Sequence, residues 1–307
     1  MKNDEEGHRV ILEDSFYPVM EGKSATYLHN RYLMGKVDGK SLFVNKFELF
    51  FLVIKNRISM ENGESPPERE LFIKLFEEKD IPMLKVFIDL KNSGGRVSIK
   101  GDSLILVGKN EARSKRRIIY PMRENQEISF DHLSKLDGSI IASVDDDGDI
   151  TYYSVEHASL KGENRGLTDR PPIDRIGNRG IASSKDLPPW IGDSMGDVTV
   201  LSEQEMPFLN DKPPEDDIAA VYMHLLENGF IVRTGFKYGC NFRAYGGPME
   251  QHAQFLVHVM RKTVQWYEIS RAVRVAASVK KRMIFASPWE DTVGTIEVTR
   301  LKNVRDF

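Results

Sequence analysis

The chain has 307 residues, 40% of them hydrophobic and 29% charged, with a formal net charge of −3, the profile of an ordinary soluble globular protein with room for two cores. No apolar run approaches the roughly 20 residues that span a bilayer, and the charged start MKNDEEGHR has no signal-peptide core. The lone Cys240 excludes an internal disulfide and argues against a thiolate metal cage, so a reducing, cytoplasmic setting without membrane partners is expected.

In chain order, KFELFFLVIKNRI (Lys46–Ile58) predicts a helix with a broad apolar face. The Gly, Ser and paired Pro of residues 61–70 break it, and periodicity predicts a helix again over Glu70–Asp80. From Met83 the pieces VFIDL, RVSIKG and SLILVG predict strands parted by glycine, followed by a basic patch over Lys109–Arg117 and then RIIYPM. Ser139–His157 predicts a hairpin around the acidic turn Asp145, Asp146, Asp147, Gly148, Asp149. Residues 160–213 are rich in Gly, Pro, Asp and Ser and predict a connector with little regular structure. DDIAAVYMHLLENGF predicts a capped helix, with acids at its start and Asn228-Gly229 at its end. FIVRTGFKY, NFRAYGG and HAQFLVHVM predict strands, Glu268–Met283 a helix, and MIFAS and TIEVTRL closing strands.

Residues 127–155 and 268–301 share an order: Glu-Ile-Ser, a helix, an apolar strand ending in Ala-Ser, an acidic turn and a second strand. This reads as an internal duplication. The first copy lacks the Tyr, His and Lys of the second, so one repeat is expected to support the other. The expected division is a non-catalytic repeat over 1–158, a connector or reduced subdomain over 159–214 and a catalytic domain over 215–307.

Charge singles out the last of these. Between Gly229 and Arg282 there are ten Lys or Arg against two acids, Glu250 and Glu268. A local balance of about +8 in an acidic chain marks a candidate polyanion site. Cutting RNA without a metal needs a base for the 2′-hydroxyl proton, an acid for the departing 5′-oxygen and a cation for the crowded phosphorane. Tyr245, His252 and Lys281 offer such groups. Histidine titrates near neutrality, lysine is a point charge, and tyrosine is a poor base unless positive charge favours its anion. Spread over 37 residues, these types are more often structural, and spacing alone does not assign them.

Three blocks do more: GFKYGCNFRAY, HAQFLV and SRAVRVAASVKKRMIFA, in that order. They resemble the signature blocks of the archaeal tRNA-splicing endonuclease family: Lys-Phe-Gly-x-Asp-Phe-x-x-Tyr, His-x-x-aromatic-Leu-Val, and a helix ending in Ser-Val-Arg-Lys. The resemblance implies an α/β (α+β) fold built as a tandem repeat, a mixed sheet flanked by helices. It implies Tyr245 as general base, His252 as general acid and Lys281 as transition-state stabiliser. Tyr238 and His258 fall beside the motif positions and are read as packing residues, and Asn241 stands where the family has Asp. Only six residues separate Tyr245 from His252, a shorter loop than the family pattern.

The implied reaction is cleavage of precursor tRNA at both exon–intron junctions of a bulge–helix–bulge. It leaves 2′,3′-cyclic phosphate and 5′-hydroxyl ends and requires no metal or cofactor. Two arginines would sandwich a bulged base. Arg274 matches one, seven residues before Lys281 and so two turns up the same predicted helix face; Arg300 is the second choice. The resemblance also implies that Asp145, Asp146, Asp147 and Asp149 insert into a basic cleft of a second copy, making a homodimer. Two rivals are a metal-dependent nuclease, for which Glu250 and Glu268 are few and far apart, and a non-catalytic RNA-binding subunit.

Overall fold

The computed structural model describes residues 17–21, 23–32, 34–39, 41–58, 67–107, 116–167, 169–261, 263–289 and 292–304. The protein is α+β, and its contacts divide it into two compact units: residues 1–123 with 141–151 and 303–307, and residues 124–140 with 152–302. No helix among the described residues is long and apolar enough to cross a membrane. The opening nonapeptide and most of the Lys109–Arg117 patch lie outside the described residues.

In the first unit, Asn45 starts a helix over Lys46–Ile54 by accepting from the N–H groups of Phe47 and Glu48, while the Glu48 carboxylate accepts from Asn45 N–H. This reciprocal capping satisfies otherwise orphaned donors. Phe47, Phe50, Phe51, Leu52 and Val53 are buried along it. The helix ends before the expected Ile58 because Asn56 takes a left-handed φ of 50°. The second expected helix covers Glu68–Leu75 and gives way to a 3₁₀ turn at Glu78–Asp80.

VFIDL is not a strand. It belongs to a helix over Ile81–Asn92, where Met83, Leu84, Val86, Phe87 and Leu90 are buried at the three-to-four spacing of one helix face. Pro82 sits in its first turn, where a missing N–H costs nothing. Arg96–Lys100, Ser103–Val107 and Arg116–Arg123 are strands where expected, and they pair antiparallel. The acidic turn is closed by Gly148 N–H donating to Asp145 O and by Asp149 N–H donating to Asp145 Oδ1.

The second unit is built on strands Ile231–Thr234, Phe242–Tyr245, Phe255–Val259, Arg282–Trp289, Thr292–Arg300 and the strand ending at His157, side by side in that order. All neighbours are antiparallel except Phe255–Val259 and Arg282–Trp289, which run parallel. A parallel pair requires a crossover, and helix Trp266–Ser278 supplies it. Alternation then sorts the side chains. Phe242, Ala244, Val257, Val259, Ile284 and Ala286 pack on Val221, Tyr222, Leu225 and Leu226 of helix Asp217–Glu227. That helix has the predicted caps: Asp216 accepts from Ala219 N–H, and Gly229 follows its end at φ 82°.

The repeat is present, but its alignment shifts. Glu127–Ile128 is a short strand and Ser129 the N-cap of helix Phe130–Lys135, whereas Glu268–Ser270 lies inside helix Trp266–Ser278. The partner of Glu127–Ile128 is Val264–Gln265, paired with it antiparallel. Each copy thus enters its helix from a two-residue strand, and the second helix is 13 residues against 6.

Residues 160–213 are also a correction. They hold a four-stranded antiparallel sheet, ordered Asp174–Ile176, Arg179–Ser183, Val198–Leu201, Asp193–Met195, and a helix over Glu205–Leu209. Ala182, Leu187, Ile191, Leu201, Met206 and Leu209 form its own core. Strands of three to five residues are too short for period-two alternation to register in sequence. Ahead of this sheet, residues 162–164 form a strap: the N–H groups of Gly162, Glu163 and Asn164 donate to the carbonyls of Asn228, Gly246 and Gly229 at 2.8, 2.8 and 2.9 Å. A Cβ on Gly162 would lie 1.9 Å from the Gly229 oxygen, so only glycine permits this approach.

Candidate active site

Tyr245 ends the strand Phe242–Tyr245. It is 7% exposed and packs with Ile231, Ala253 and Trp190. The following turn is pinned twice: Gly246 N–H donates to Gln254 Oε1 at 2.8 Å, and Gly246 O accepts from the Glu163 strap. His252 is exposed in the segment leading into Phe255–Val259. Ala253 follows it and is buried.

Helix Trp266–Ser278 begins with a capping box between Gln265 and Glu268. Its end sets the third residue. Lys280 N–H donates to Ala277 O and Lys281 N–H to Ala276 O, with Lys280 in the left-handed region at φ 55°. This is the Schellman closure, with lysine where glycine is usual. The chain therefore leaves the helix before Lys281, and Arg282 N–H donates to Gln254 O at 2.9 Å to open the parallel pairing. Lys281 Nζ donates to Ala253 O at 2.5 Å.

Tyr245, His252 and Lys281 thus come together around Ala253: its side chain packs on the tyrosine, its carbonyl accepts from the lysine, and His252 precedes it. The expected same-face relation of Arg274 and Lys281 fails, because Arg274 is on the helix and Lys281 beyond its closure. Arg274 is exposed, and Arg300, also exposed, ends its strand opposite buried Tyr153. Asn241 keeps an acceptor role, its Oδ1 taking Val259 N–H at 2.8 Å across the sheet. Among the described residues no three His, Cys, Asp or Glu are grouped to hold a metal ion.

The two residues read as packing are half-buried and line one cavity of about 210 Å³, with Glu268 and Arg271. Burial pushes His258 below the usual histidine value, against the pull of Glu268, and its ring meets Phe285 edge to face at 5.9 Å. Burial also pushes the Cys240 thiol up to about 11.

The family model of the tRNA intron endonuclease catalytic C-terminal domain matches residues 216–297, a span that includes Tyr245, His252 and Lys281. Across nearly the full length, the chain is 32% identical over 288 residues to the tRNA-splicing endonuclease of Thermoplasma volcanium, covering 94% of this chain and 96% of that protein. This chain belongs to the tRNA-splicing endonuclease family. It is also 31% identical over 296 residues to the tRNA-splicing endonuclease of Picrophilus torridus, covering 96% and 98%. That of Methanococcoides burtonii is 25% identical over 347 residues, covering 92% and 97%.

In this splicing-endonuclease chain, sequence reasoning did not anticipate the residues that hold the turn after Tyr245 and the strand start after Lys281. Gln254 fixes both Gly246 and Arg282, yet occupies a motif position where any residue is allowed. Trp190 reaches Tyr245 from the segment read as a connector. The paired glycines 162 and 229 were the available signal for the strap, but they are 67 positions apart.

Proposed function

We propose that the chain cuts precursor tRNA at the two junctions of a bulge–helix–bulge by internal transfer. Tyr245, acting as its phenolate, takes the proton of the 2′-hydroxyl, whose oxygen attacks the adjacent phosphorus. The bond from phosphorus to the 5′-oxygen breaks, and His252 gives that oxygen a proton. The products are a 2′,3′-cyclic phosphate and a 5′-hydroxyl, with no net gain or loss of protons and no metal in the step. Lys281 faces the non-bridging oxygens as their charge grows, an effect worth most from a preorganised group.

The observation that carries this reading is the convergence on Ala253. An exposed histidine suits an acid that must meet a large substrate, and a tyrosine fixed by packing suits a base whose direction matters. Arg274 and Arg300 remain the choices for stacking on a bulged base. The exposed carboxylates of Asp146, Asp147 and Asp149 suit docking into a basic face of a second copy.

The test is cleavage of a bulge–helix–bulge RNA in EDTA by the native chain and by His252→Ala. The expected result is cutting at both bulges with cyclic phosphate ends, and a variant that binds but is slowed by about 10²–10⁴. Loss of cutting in EDTA overturns the metal-free step, and binding without cutting under every condition returns the RNA-binding subunit.

A further inference from the structure

The second unit holds a cleft of about 510 Å³ that the reaction just described leaves unused. Arg179, Arg233 and Arg243 line it, each from a different strand. Arg179 stands exposed on the small four-stranded sheet. Arg233 is braced there by donating from Nη1 to Trp190 O at 3.2 Å and Gly192 O at 2.7 Å. Neutral carbonyls fix a guanidinium without cancelling its charge.

Arg243 pairs directly opposite Arg233 in the register of their strands. Like charges so placed destabilise a sheet, with Cβ atoms roughly 5 Å apart. Neither makes an ion pair among the described residues. The Arg243 Nε is buried with no hydrogen-bond partner among the described residues, a donor left unsatisfied at a cost. The cleft also holds two carboxylates, Glu205 and Asp193, so its three arginines leave one formal positive charge in excess. Glu205 is engaged by the N–H groups of Gly192 and Ser202 and by Ser202 Oγ, and Asp193 is exposed.

Arg243 also connects the cleft to the site. Its Cζ lies 5.9 Å from the centroid of the Tyr245 ring, two residues and ~7 Å along the strand. We propose that this cleft is a phosphate subsite, in which Arg179, Arg233 and Arg243 hold the backbone of the RNA strand that passes Tyr245. It rests on the nuclease reading above and adds a role for the small sheet: positioning the strand to be cut. Planar guanidinium forks suit phosphate oxygens, and single-stranded backbone is the form a bulge presents.

The experiment compares the full-length native chain with Arg179→Ala, Arg243→Ala and Arg243→Lys on a bulge–helix–bulge RNA. It reads KM, kcat, binding across a salt series and the thermal midpoint. Arg179 is exposed on its strand, so the fold tolerates its loss. The expected result for Arg179→Ala is a raised KM at unchanged kcat, with the slope of log affinity against log salt reduced by about 0.7, the value of one single-strand phosphate contact. Arg243→Ala shows the same loss of slope and Arg243→Lys restores it. Unchanged slope and KM in both alanine variants, while the native chain cuts normally, overturn the subsite alone. A native chain that neither binds nor cuts the RNA overturns the nuclease reading and the subsite with it. Inorganic phosphate provides the remaining arm: if it raises the native midpoint and both alanine variants lose that rise without a change in RNA slope, the cleft is a free-anion site and the RNA assignment is overturned.

Discussion

The ε-ammonium of Lys281 donates to the carbonyl oxygen of Ala253 at 2.5 Å, joining the start of one parallel strand to the approach of its neighbour. The ammonium has three donors, so one bond can aim the group while others remain for a ligand. On this geometry Lys281→Ala slows single-turnover cleavage by about 10²–10³, the range for loss of one preorganised stabilising donor. Lys281→Arg recovers little, because a planar fork cannot occupy the place of a compact ammonium. Recovery to the native rate in the arginine variant would reduce Lys281 to a bulk charge.

The residue before it holds the strain. Lys280 sits at φ 55°, which costs a side-chain-bearing residue about 1–2 kcal/mol. Glycine relieves that while adding unfolded-state freedom worth about 0.5–1 kcal/mol. Lys280→Gly therefore raises stability by about 0.5–1 kcal/mol in urea unfolding. A lower midpoint would mean that the Lys280 side chain contributes more than its backbone costs.

Asn241 separates the need for an acceptor from the need for an amide. Asn241→Ala leaves Val259 N–H without its partner and lowers stability by about 1–3 kcal/mol. Asn241→Asp keeps an oxygen in place and costs less than the alanine variant. Denaturant midpoints of the two, measured side by side, decide it; equal losses would deny the oxygen any role.

His258 predicts the acid limb. Burial, opposed by Glu268, holds its pKa below 6.5 in the folded chain, and His224 is held down in the same way, opposed by Glu227. The unfolded chain then binds more protons, so stability rises with pH across the window beneath 6.5 and is complete above it. Each such proton changes stability by at most about 1.4 kcal/mol per pH unit. The unfolding midpoint should fall between pH 7 and pH 5.5, and His258→Gln should flatten that fall. Tyr238, Glu268 and Arg271 line the same cavity, and of these Glu268 opposes the shift. An unchanged slope in the glutamine variant would clear His258 of any part in it.

What could be read in the sequence follows from where the information is local. Helix Asp217–Glu227 was legible because its start signal, Asp216, and its stop signal, Asn228-Gly229, adjoin its apolar face. The strands around Tyr245 were legible as short β-rich runs. VFIDL was not, because its β-branched composition outweighed a helical spacing that shows only when Met83 and Leu84 are counted with it. The position of Lys281 was misjudged for a different reason: composition continues as a helix through it, and the stop is a non-glycine residue in a glycine conformation. The small sheet at 174–201 depends on pairing between short segments, which no local pattern records.

The strap at residues 162–164 has a consequence for genetics. Its backbone holds the turn after Tyr245 from about 80 positions upstream and meets Gly229 too closely for any side chain. A screen for loss of splicing should therefore recover substitutions at Gly162, remote in sequence from every proposed reacting group. Such alleles would resemble a lesion at Tyr245 itself, because the strap bonds the turn that follows it.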